Sequence, residues 1–125
     1  MIVRDQMVAG SPTPGGNVPS WDLSLNYVPI SYPSLVPAVI AMQPGQQELW
    51  RVANASADTI LDLQVLYDGV AQPLQVVALD GVPTGSQDGT RVGKLVTRTD
   101  ILLAPAARAE FIVTGPSATV NHAVF

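Results

Sequence analysis

The stretch "ELWRVANASADTILDLQ", residues 48–64, places two apolar runs on either side of a short polar break. In an extended chain successive side chains point to opposite faces. Trp50 and Val52 then share one face of the first run, and Leu49, Arg51 and Ala53 share the other. In the second run, continued to Leu66, Leu61, Leu63 and Val65 face one way and Ile60, Asp62, Gln64 and Leu66 the other. A period of two marks strands with one face on a core, so Trp50, Leu61, Leu63 and Val65 are core candidates. The break "NASAD" carries Asn, Ser and Asp, which bond their own backbone and end strands.

The same punctuation continues outward. Eleven prolines and ten glycines divide 125 residues at short intervals, and the runs between them are rich in Val, Ile, Leu and Thr. Short runs with regular turn signals predict an all-β fold, a sandwich or barrel. Strands are expected near 2–4, 23–29, 37–42, 46–54, 58–66, 71–79, 92–96, 99–103 and 108–113, with a last one over 120–125. "QPGQ" (43–46) puts Pro44 and Gly45 at the centre of a type II turn, where Gly accepts a positive φ. Asp68-Gly69 and Asp88-Gly89 read as tight hairpins. "LQVVALDG" (74–81) is nearly continuous in apolar residues and suits a strand covered on both faces. "PAARAE" (105–110) has room for one helical turn. "GSPTPGGNVPS" (10–20) reads as a long surface loop between strands.

Bulk composition narrows the function. At this length one domain is expected, large enough to bury an ordinary core. A net charge of −4 with six scattered Lys and Arg predicts neither a nucleic-acid nor an anionic-membrane partner. No run approaches the roughly 20 apolar residues of a membrane-spanning helix. "MIVRDQ" lacks the apolar centre of a signal peptide. Strand-like sequence begins almost at residue 2 and the chain stops within "HAVF". Domains usually finish in polar, frayed residues, so residues 1–125 are expected to be a piece of a longer multidomain chain.

Site chemistry is sparse. With no cysteine and His122 as the single histidine, the chain can build neither a zinc site nor a mononuclear copper electron-transfer site, which takes two His and a Cys. His122 is expected to be structural or exposed. Asp88 and Asp100 are too few for an oxygen-only calcium site. No G-x-S-x-G elbow or phosphate loop is present. Asp62, Asp68, Asp80, Asp100 and Glu110 cannot be paired into a cleft from sequence. Asn54-Ala55-Ser56 is a formal N-glycosylation acceptor, but the reading preferred here is a turn at which Asn54 ends a strand. Trp21, after the polar loop, is the more exposed indole and leaves open a carbohydrate-binding or protein-interaction module. A structural domain that mediates assembly is a third reading.

In order, the chain reads "MIVRDQ", "DLSLNYVPISYP", "PGQQELWRVANASADTILDLQ", "VVALDGVP" and "DILLAPAARAEFIVTGP". This series resembles the middle domain of three-domain multicopper oxidases, the laccase-like family. The resemblance rests on Trp50, Arg51, Val52, Asn54, Ala55 and Ser56; on Asp80, Gly81 and Pro83; and on Pro105, Arg108, Glu110 and Phe111. It covers nearly the whole chain and is specific in its order rather than in any one motif. It implies a cupredoxin-like Greek-key β-sandwich that carries no copper ligand and serves as a spacer. The copper belongs to neighbouring cupredoxin domains of the parent chain, which are the expected partners. The parent would couple one-electron oxidation of a donor to reduction of dioxygen to water, in the periplasm or outside the cell, while this chain alone would be inactive. No catalytic, cofactor or metal residue is carried over.

Arg51 and Arg108 remain to be placed. An arginine among apolar neighbours is rarely buried unless paired. Asp80 and Glu110 are the suitable partners, and at least one charge-assisted hydrogen bond to a carboxylate or a turn carbonyl is expected. The alternative is that both arginines lie on the solvent face.

Overall fold

The computed structural model describes residues 1–7, 21–30, 34, 36–86, 89 and 92–125; of Gln6, Met7, Trp21 and Asp22 it describes the backbone. The 10–20 loop, Asp88 of the expected Asp88-Gly89 hairpin and the Trp21 side chain therefore lie outside the described residues. Everything regular among the described residues is β. The strands are β1 (Ile2–Met7), β2 (Trp21–Leu25), β3 (Val28–Ile30), β4 (Gln47–Asn54), β5 (Leu61–Leu63), β6 (Leu66–Tyr67) and β7 (Val70–Ala71). They continue with β8 (Leu74–Leu79), β9 (Val82–Pro83), β10 (Val96–Arg98), β11 (Ile101–Leu103), β12 (Arg108–Thr114) and β13 (Ala123–Val124).

One large sheet runs in the order β10-β8-β12-β4-β1-β2-β3, with β9 hydrogen-bonded to β8. Two small sheets, β11-β5 and β13-β6-β7, cover its inner face. The pairs are antiparallel except β1 with β4, where Ile2 lies beside Ala53 and Val3 beside Asn54. The result is a β-sandwich. Its core joins Trp50, Val52, Leu74, Val76, Phe111 and Val113 of the large sheet to Leu61, Leu63, Val65, Ile101 and Leu103 opposite. Burying each such side chain stabilises the fold by about 1.5–3 kcal/mol. Trp50, Phe111 and Phe125 form an aromatic group, with the Trp50 and Phe125 rings edge to face at 5.1 Å, a favoured geometry for ring quadrupoles.

β4 alternates as its sequence requires, with Trp50, Val52 and Asn54 buried and Leu49 and Arg51 exposed. Leu61, Leu63 and Val65 are buried, and Ile60 is 65% exposed. The turns follow their chemistry too. Gln46 N donates to Gln43 O and Gly45 has φ 71°, as a type II turn demands. Asp68 and Gly69 both have positive φ between β6 and β7, a type I′ hairpin.

Several expectations are corrected, among them two strand bounds: 92–96 is strand only at Val96, where β10 begins, and 71–79 parts into the end of β7 and β8. The run 23–29 is a hairpin rather than one strand: Asn26 and Tyr27 take φ 48° and 69° between β2 and β3. The Asn26 Oδ1 accepts the Ile2 N–H at 2.9 Å, which holds that turn against β1. The run 37–42 is not a ladder strand; Pro37 has no N–H, and Val39 is 90% exposed. The run 58–66 divides into β5 and the start of β6. β8 is covered on one face only, with Leu74, Val76 and Ala78 inward and Leu79 exposed. "PAARAE" holds a β-turn rather than a helical turn. Ala107 N donates to Ala104 O, Pro105 occupies the second position, and Ala106 has φ 66°.

Candidate functional site

Three segments far apart in sequence, "WRVANAS", "LDGVP" and "APAARAEF", meet along one end of the large sheet. β12 lies antiparallel to β4 with Glu110 beside Arg51 and Phe111 beside Trp50. Where that ladder ends, Asn54 N donates to Ala107 O at 3.0 Å and Ala106 N to Asn54 O at 2.9 Å. Asp80 begins the positive-φ turn after β8, and its N–H donates to Arg108 O at 2.9 Å. The Asp80 carboxylate in return accepts the Arg108 N–H at 2.8 Å.

Asn54 is the centre of this junction. It is 1% exposed, and its Nδ2 donates to Thr59 O at 2.8 Å and Leu103 O at 2.9 Å. Its Oδ1 accepts the Ser56 N–H at 3.0 Å, the local closure that Asn side chains make in turns. One amide thereby ties β4, the 55–59 turn and β11 together. A glycan on Nδ2 would replace one of its two hydrogens, and so remove at least one of these bonds, at a residue that is 1% exposed. The adjoining Ser56 hydroxyl is buried and has no hydrogen-bond partner among the described residues.

The arginines lie outside the core. Arg51 Nε sits 3.4 Å from Glu110 Oε2, with 73% of the Arg51 side chain exposed. Arg108 Nη2 is 3.8 Å from Asp80 Oδ1, and its Nη1 donates to Ala106 O at 3.4 Å. Both guanidinium groups thus have protein partners and both face solvent. Pairs of this kind contribute about 0–1 kcal/mol, so neither arginine is a buried anchor. Trp50 is a core residue whose Nε1 donates to Glu48 Oε2 at 3.0 Å.

Residues that sequence reasoning passed over complete the junction. The Asp5 carboxylate, on β1, accepts Ala57 N at 3.1 Å and Thr59 Oγ1 at 3.2 Å, clamping the turn from below. The only signal was a lone acid opposite a segment rich in unpaired donors. Thr84, buried after β9, places its Oγ1 2.8 Å from Val76 O, 3.1 Å from Val77 O and 2.7 Å from Lys94 O. Val77 is the extra residue of a β-bulge, since Ala78 lies beside Glu110 and Val76 beside Phe111. His122 is exposed, and its backbone N–H donates to Asp68 Oδ1 at 2.8 Å.

The junction's carboxylates cap backbone N–H groups and meet arginines, and both N–H donors of its buried amide are used. Among the described residues no three His, Cys, Asp or Glu side chains converge as metal ligands would. Compared with known proteins, the chain matches no family model and no curated sequence.

Proposed function

We propose that the chain is a copper-free, cupredoxin-like Greek-key domain that acts as a scaffold between the copper-bearing domains of a laccase-like multicopper oxidase. The parent would remove electrons one at a time from a donor and pass them to dioxygen, giving water. The observation that carries this reading is the convergence just described. Of the three segments that resemble the family, the one from Pro105 to Phe111 lies in the middle and hydrogen-bonds to both others, Trp50 to Ser56 on one side and Asp80 on the other, in one junction of a β-sandwich. Motifs that hold a fold should meet in this way, as core, cap and turn.

The chain's own residues do not fit a type 1 copper, because one histidine and no cysteine are present in all 125 positions. In this reading its work is to keep a rigid sandwich of fixed size between two other domains. Two measurements test it. Purified chain titrated with Cu(II) should hold well under one copper per molecule after desalting and show no blue absorption band. The coding sequence on either side should contain H-x-H before the domain and H-C-H after it. A stoichiometric blue copper, or flanks without those motifs, overturns the proposal.

A further inference from the structure

The large sheet does not close completely over the small one. Between β2–β3 and β5 lies a cleft of about 560 Å³, walled by Val3, Leu25, Ile30, Leu61, Leu63 and Phe125. Sites for small organic molecules have about this volume, a mainly apolar wall and a few placed polar groups. A wall with no atoms opposite forfeits dispersion contacts that an apolar guest would restore.

The polar groups decide what kind of guest. Asp62 and Gln64 also border the cleft, and Asp62 is the one ionisable side chain among the described residues that line it. On β5 Leu61 and Leu63 turn inward, and Asp62, exposed between them, borders the cleft at its solvent side. Gln64 Nε2 donates to Asp62 Oδ2 at 2.9 Å, which fixes the carboxylate and leaves most of its roughly four acceptor sites for other donors. The lining contains no Lys, Arg or His, and the chain carries a net charge of −4. The field at the mouth therefore attracts cations and repels carboxylates.

We propose that this cleft binds a small amphiphile, with an apolar body held between β2–β3 and β5 and an ammonium head on Asp62. The site is separate from the scaffold junction and does not rest on the oxidase reading. The test is an amide-resolved NMR titration of the 125-residue chain with 4-phenylbutylammonium, 4-phenylbutanol and 4-phenylbutyrate. The ammonium should move the amides of residues 23–25 and 61–64 saturably, and bind at least about tenfold more tightly than the carboxylate. In Asp62→Asn, an exposed change that leaves the core intact, the ammonium should fall to the affinity of the alcohol, which should itself be unchanged. Equal binding of the ammonium and the carboxylate, shifts mapping elsewhere, or no saturable shift overturns the proposal. So does a cleft occupied by a second copy of the chain, seen as line broadening that grows with protein concentration and that the ammonium does not reverse.

Discussion

Thr84 shows how a single small side chain can secure a strand irregularity. The register of β8 against β12 shifts at Val77, and the Thr84 hydroxyl lies within hydrogen-bond distance of the carbonyls of Val76, Val77 and Lys94. Thr84→Val keeps the shape and removes the single O–H donor shared among these carbonyls, of which Val77 O keeps the Thr84 backbone N–H. The expected loss is about 1–3 kcal/mol, read as a lower urea midpoint at unchanged slope. Thr84→Ser should recover most of it, and a Val variant within about 0.5 kcal/mol of the parent would show that the hydroxyl is idle. Tyr67 makes a different residue-scale case. Its hydroxyl donates to Thr114 O, and partial burial raises its pKa above the ordinary 10.0. Above pH 10 the unfolded chain therefore releases this proton first, and the folded state binds more protons. Stability is complete below that pH and falls as pH rises toward the folded pKa. Tyr67→Phe, already less stable at pH 8 for want of the hydrogen bond, should lose less than the parent between pH 9 and 11 by denaturant titration.

Among the elements, the β4–β12 pair carries the most telling ladder, and Arg51 beside Glu110 is its visible ornament. With most of the arginine in water the ion pair is screened and its side-chain entropy remains high. Arg51→Ala should cost less than about 1 kcal/mol, and a double-mutant cycle with Glu110→Ala should give a coupling of about 0.2–1 kcal/mol that shrinks in 1 M salt. A loss near 3 kcal/mol would require a buried pair instead. The same pair shows what was legible in the sequence. Alternation identified which faces of β4 and β5 meet the core, because a one-residue slip would expose the whole apolar set. It could not locate the hairpin at Asn26-Tyr27, since Tyr seldom takes a positive φ and no glycine marks the turn. Nor could it separate 37–42 from a true strand, because apolar composition does not reveal whether a neighbouring edge is free to pair. At the candidate junction, the short motifs named Asn54, Asp80 and Arg108, but the lone acid at position 5 has no local pattern. Its role exists only once β1 lies parallel to β4.

For the whole molecule, the question is whether the two layers fold as one unit. A continuous core joins both, and Phe111, fully buried on β12, packs toward Trp50 at a ring distance of 6.3 Å. Removing its ring opens a cavity where the large sheet meets the small ones, at a cost of about 3–5 kcal/mol. A domain of this size holds about 5–15 kcal/mol in total, so Phe111→Ala consumes a large share of it. If the layers are cooperative, tryptophan fluorescence and far-ultraviolet circular dichroism should lose signal at one common denaturant midpoint in both parent and variant. The variant's midpoint should be shifted down and its slope retained. Separate midpoints would mean that β5, β6 and their partners melt apart from the large sheet. A rigid spacer could not tolerate that, because the distance between its neighbours would then change with every local opening. A single transition in the parent is thus a requirement of the scaffold reading as well as of the packing.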